Sequence, residues 1–126
     1  MDEPVRIADE GDGTLTVALF GDIDFANAPA VRETVRSAVS EAVPTEVRID
    51  LAAVTFLDSS GIALLVTVYR LASKLGAPCS VVNPTRSVYE HLRLTGLAEL
   101  FGVARPDGSR SGDAPGPGRP APPVGR

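Results

Sequence analysis

The residue pattern predicts an α/β fold, a sheet with helices packed against it. Apolar residues recur at every second position in some segments and at helical spacing in others, and the two kinds of segment alternate along the chain. The alternation of strands and helices argues for at least some parallel pairing. The 126 residues, 44% of them hydrophobic, suffice for one core and leave little for a second. Periodicity leaves the strand order open.

Thr14 to Phe20 reads as a strand with Leu15, Val17 and Leu19 on one face, and Gly21-Asp22-Ile23-Asp24 breaks it. From Asn27, read as a cap, the period becomes helical through Ala28, Val31, Val35, Ala38, Val39 and Ala42; Pro29 fits the first turn and Pro44 closes the helix. Glu46 to Leu51 alternates again, with Val47, Ile49 and Leu51 facing one way, and Val54 to Leu57 carries the backbone on to Asp58. Ile62 to Leu75 reads as a helix ended by Gly76, Cys79 to Val82 as a short buried strand, and Asn83-Pro84 as a turn. Ser87 to Thr95 is a third helix stopped by Gly96, and Leu100 to Val103 reads as a last edge strand.

Beyond Ala104 the composition shifts to Pro, Gly, Arg and Ser, too poor in apolar side chains to offset the entropy of ordering. Residues 1–104 are therefore read as the domain and residues 105–126 as a disordered tail. The tail holds Arg105, Arg110, Arg119 and Arg126 against Asp107 and Asp113; removing that surplus of two from a formal charge of −4 leaves about −6 on the body. An acidic body gives no electrostatic case for nucleic acid and suits a protein partner. The lone Cys79 allows no internal disulfide, and no glycine-rich phosphate loop or multi-cysteine metal motif suggests a cofactor. The acidic start Met1-Asp2-Glu3-Pro4 lacks the pattern of a signal peptide, and no apolar stretch is long enough to span a bilayer. No membrane association and a cytoplasmic location are expected.

The chemistry gathers where a strand hands over to a helix, at Asp58-Ser59-Ser60-Gly61. Asp58 can accept hydrogen bonds from the free amides of Ser60 and Gly61, which leaves the Ser59 hydroxyl at a helix start within reach of a partner. Gly61 is read as keeping bulk away from that partner. Along the following helix Ile62, Leu65, Val66, Val68, Tyr69, Ala72 and Leu75 form the apolar side, and the stripe Ala63, Thr67, Arg70 and Lys74 remains. Its small residues lie nearest Ser59, as a partner contact requires.

The stretch from Ile49-Asp50-Leu51 through Phe56-Leu57-Asp58-Ser59-Ser60-Gly61 closely resembles the STAS domain of anti-sigma-factor antagonists. Gly21-Asp22-Ile23-Asp24 is similar to that family's turn after its second strand, and Thr95-Gly96-Leu97 with Leu100-Phe101 to its last helix and final strand. The likeness runs from about Val5 to Val103. It implies a mixed central sheet of four to five strands with three to four helices. It also implies a role: the unphosphorylated chain binds an anti-sigma factor, itself an ATP-dependent serine kinase, and so frees a sigma factor. The kinase then phosphorylates Ser59, and a serine phosphatase resets the switch. Asp22, Asp24, Asp58, Ser60, Gly61, Ala63 and Thr67 are the accompanying contact candidates.

An enzyme would need a base for Ser59 or Ser60. His91 is the one histidine, it lies on a different predicted helix, and no nucleophile elbow is present. Asp22 and Asp24, two apart in a turn, suit local backbone hydrogen bonds better than acid–base work. The chain is therefore read as a non-enzyme. The second reading is a STAS scaffold subunit of a stress-signalling or transporter complex, working without a phospho-switch.

Overall fold

A computed structural model of the chain describes residues 3–106. In order it contains β1 (Val5–Asp9), β2 (Thr14–Ile23), α1 (Ala28–Ala42), β3 (Glu46–Leu57), α2 (Ser59–Lys74), β4 (Cys79–Val82), α3 (Arg86–Leu94) and α4 (Leu97–Leu100). The strands form one sheet in the order β1-β2-β3-β4, with β1 antiparallel to β2 and the β2/β3 and β3/β4 pairs parallel. The mixed sheet of four strands with four helices is the expected architecture.

The β1–β2 hairpin turns through Gly11 and Gly13, both at positive φ, while the Asp9 and Asp12 carboxylates accept the amides of Gly11 and Thr14. Register then puts Leu15, Val17, Val47, Ile49, Cys79 and Val81 on one side of the sheet, where they are buried. Helix α1 lays Val31, Val35 and Val39 against that side, α2 adds Leu64, Leu65, Val68 and Ala72, and α3 adds Val88, Tyr89 and Leu92. All belong to one core. Burying each of these larger side chains stabilises the fold by roughly 1.5–3 kcal/mol before entropy is counted. Burial also pushes the Cys79 thiol up to about 12, so it is a small core hydrophobe and not a nucleophile. The opposite face carries Arg6, Thr16, Ala18, Arg48, Asp50 and Ser80, none of them buried.

Several expectations need correction. β1 is a strand that alternation did not single out, because only Val5 of its side chains is buried and pairing with β2 holds it in place. Gly21-Asp22-Ile23 does not break β2: the register against β3 shifts between Ala18 and Phe20 and again between Gly21 and Asp22, Gly21 takes φ +72° there, and the strand runs on to bury Ile23. β3 likewise runs on to Leu57. Leu100 to Val103 is not a strand. Gly96 at φ +82° reverses the chain into the short α4, and Phe101 then plugs the core edge-on to Tyr69, with ring centroids 5.5 Å apart. Leu64 is buried where the apolar pattern of α2 had placed Leu75, which is exposed at the helix end. Among the described residues no helix is long and apolar enough to cross a membrane. The expected domain end at Ala104 falls just short of the last described residue; the expected tail beyond Pro106 lies outside the described residues.

Candidate functional site

The parallel strands β2 and β3 end side by side; Asp22 is the last but one residue of β2, and the connections that follow the strands carry Asp24 and Asp58. Such strand ends are where an α/β sheet offers its free loop surface. Asp58 caps α2 as expected: its Oδ1 accepts from Ser60 N at 2.8 Å and from Gly61 N at 3.0 Å. Helix α2 therefore starts at Ser59, three residues ahead of the predicted Ile62. Oδ2 of the same carboxylate accepts from Phe25 N, 3.1 Å away, and the Asp58 amide donates to the Ile23 carbonyl at 3.2 Å. One side chain thus fastens the β2–α1 turn to the start of α2.

The turn has its own lock. Asp24 Oδ1 accepts from Ala26 N and Asn27 N, at 3.0 and 3.2 Å, and Asn27 Oδ1 accepts from Asp24 N at 3.0 Å. This reciprocal pair is a capping box with the acid and the amide in the two roles. Asn27, expected as the cap of α1, makes no side-chain bond to the helix amides and reaches backwards instead, because Asp24 already fills that place. Its Nδ2 donates to the Asp22 carbonyl at 2.8 Å, and Thr55 Oγ1 donates to Asp22 Oδ1 at 2.5 Å. Among the described residues no group of three or more His, Cys, Asp or Glu is placed to hold a metal.

Ser59 is exposed, and its hydroxyl has no hydrogen-bond partner among the described residues. Ser60 is half-buried and turned toward α1. There it opens onto a groove of about 140 Å³ between α1 and α2, lined by Phe25, Pro29, Arg32, Ala63, Leu64 and Thr67. The two small residues of the α2 stripe, Ala63 and Thr67, therefore meet a second element, as sequence could not say. Gly61 does not face a partner: it is buried, and a Cβ there would lie 2.8 Å from the Ile23 carbonyl oxygen and 2.8 Å from Leu57 Cδ2. Its missing side chain lets α2 close on the end of β2.

Sequence reasoning missed Phe25, Arg32 and Phe56. Phe25 is 76% exposed in the middle of the turn and Phe56 is 52% exposed near the end of β3. A phenylalanine inside the polar run Asp22-Ile23-Asp24-Phe25-Ala26-Asn27 was the available signal. His91 sits in the last turn of α3, its carbonyl accepting from Thr95 Oγ1, and makes no bond to the serines.

The sequence profile of the STAS domain family matches residues 6–107. This chain belongs to the STAS domain family. Its characterised relatives include the anti-sigma-B factor antagonist of Bacillus subtilis (strain 168), 23% identical over 95 residues that make up 75% of this chain and 85% of that protein. Another is an anti-sigma F factor antagonist of Paenibacillus polymyxa, 25% identical over 91 residues, 72% of this chain and 78% of the relative. Among solved structures this STAS domain is similar to an anti-sigma factor antagonist from Mycobacterium paratuberculosis, with a TM-score of 0.69, 31% identity, and coverage of 79% of this chain and 82% of the other. The unphosphorylated form of the anti-sigma factor antagonist SpoIIAA shares the STAS fold at a TM-score of 0.60 and 19% identity, over 71% of this chain and 82% of its own.

Proposed function

We propose that this STAS domain is an anti-sigma-factor antagonist whose partner choice is set at Ser59. With Ser59 unmodified it binds an anti-sigma factor of the ATP-dependent serine kinase type and releases a sigma factor; phosphorylation of Ser59 by that kinase ends the binding, and a serine phosphatase restores it. The chain acts by binding and not by catalysis. The observation that carries this reading is the Ser59 hydroxyl, exposed and without a partner among the described residues, at the first position of α2, directly after the capping Asp58. A helix start accommodates an anion, so a phosphate there need not disturb the fold. It adds roughly −1.5 to −2 of charge beside Asp58, at a surface a partner must desolvate. Asp22, Asp24, Asp58, Ser60, Ala63 and Thr67 frame that surface, and Gly61 supports it from beneath.

The decisive experiment incubates the chain with its anti-sigma kinase and ATP. Label should appear on Ser59, Ser59→Ala should abolish labelling and still bind, and Ser59→Asp should bind more weakly. Aspartate carries less charge than phosphate, so its effect should be the smaller of the two. Phosphate mapped to Ser60 would overturn the site. Equal affinity of the modified and unmodified chains would remove the switch and leave the scaffold role.

A further inference from the structure

We infer that the groove between α1 and α2 receives an apolar side chain of the anti-sigma partner flanked by a carboxylate, that Arg32 reads the carboxylate, and that Phe25 packs on the apolar part; this rests on the antagonist reading above. The groove has room for one aliphatic or aromatic side chain, between Pro29 on α1 and Ala63, Leu64 and Thr67 on α2. Ser60 lines its end, so it is continuous with the surface around Ser59.

Two observations specify the occupant. Phe25 is three-quarters exposed although its backbone is tied down, its amide bound to Asp58 Oδ2. A large exposed ring on a fastened backbone beside a groove is the form an interface anchor takes. The second is the placement of charge. The site looks acidic, yet its carboxylates are engaged inside the chain: Asp58 with three amides, Asp24 with two, and Asp22 with the Thr55 hydroxyl. Arg32, on the groove itself, makes no ion pair or hydrogen bond among the described residues; it feels the charge of the neighbouring Glu33, but that carboxylate is bonded to Arg36. Arg32 is thus the charged side chain that the groove itself presents, and a guanidinium fork takes a carboxylate in a two-point contact. The regulation follows with the right sign. A dianion on Ser59, next in the chain to the Ser60 that lines the groove, would repel an incoming carboxylate.

The test pans the whole chain against phage-displayed random dodecapeptides and then measures affinities of the enriched peptides. Supporting peptides carry Leu, Phe or Met within two positions of Asp or Glu. Their affinity should drop about tenfold or more with Arg32→Glu and with Ala63→Trp, which fills the groove. Replacing the peptide acid by Lys should restore binding to Arg32→Glu. Absence of enrichment, enrichment without an acid, or indifference to both substitutions overturns the inference. Arg32 and Ala63 are exposed; if Ala63→Trp shifts the unfolding midpoint, Arg32→Glu with its charge-swapped peptide decides alone. The anti-sigma kinase separates the two readings. Binding that responds to Ser59→Asp but not to the groove variants leaves the antagonist role standing and sinks the groove, whereas peptides that seat as described while no kinase binds sink the antagonist role.

Discussion

Gly61 is the residue whose requirement is strictest. At 2.8 Å from a hypothetical Cβ, the Ile23 carbonyl belongs to a paired strand and cannot give way as a flexible side chain could. Gly61→Ala should therefore destabilise the domain by roughly 1–3 kcal/mol, the usual cost of overpacking, despite alanine's better helix propensity. Urea unfolding would measure it, and an unchanged midpoint would mean that α2 can shift outward without loss. Asp58 sits beside it as a residue with two tasks, capping α2 and holding Phe25, so its loss would be felt in the shape of the site as well as in stability.

The capping box between Asp24 and Asn27 belongs to the scale of elements, because it fixes where β2 ends and at what angle α1 begins. Asp24→Ala is expected to cost about 1 kcal/mol, the typical value for a lost cap, and to weaken partner binding through the loosened Phe25 turn. A stability loss with unaltered binding would confine Asp24 to the fold; an unaltered midpoint would contradict the capping role. At this scale the sequence was readable where one side chain acts on its own segment. The α2 cap, α1 and the alternation of β3 follow from local spacing. What was not readable depends on a neighbour. β1 exists because β2 is there to pair with it, β2 survives Gly21 because a bulge absorbs the extra residue, and Phe101 turns inward because Tyr69 offers an edge. The groove needed α1 and α2 together, so nothing in the sequence alone singled out Arg32.

As a whole the molecule is a two-layer body with helices on one side of a four-stranded sheet. Its opposite face is polar, with Arg6 stacked over the Phe20 ring at 5.4 Å and Arg48 paired with Glu46 at 3.4 Å. Among the described residues the last core contributions come from Phe101 and the partly buried Val103, whose amide bonds to the Ala98 carbonyl at 2.8 Å. Removing everything after Ala104 should therefore leave the thermal midpoint within the range of unimportant surface changes. A loss greater than about 1 kcal/mol would show that residues 105–126 contribute to the fold. The bond from Phe25 to Asp58 spans 33 residues of chain and can close only after β2 and β3 have paired across α1. Ser59 in an unfolded chain has neither the capped helix start nor the Phe25 turn beside it. On the proposed reading, a kinase that recognises the assembled corner would also inspect the substrate's integrity, and a newly made or damaged chain would stay outside the proposed switch until its sheet had formed.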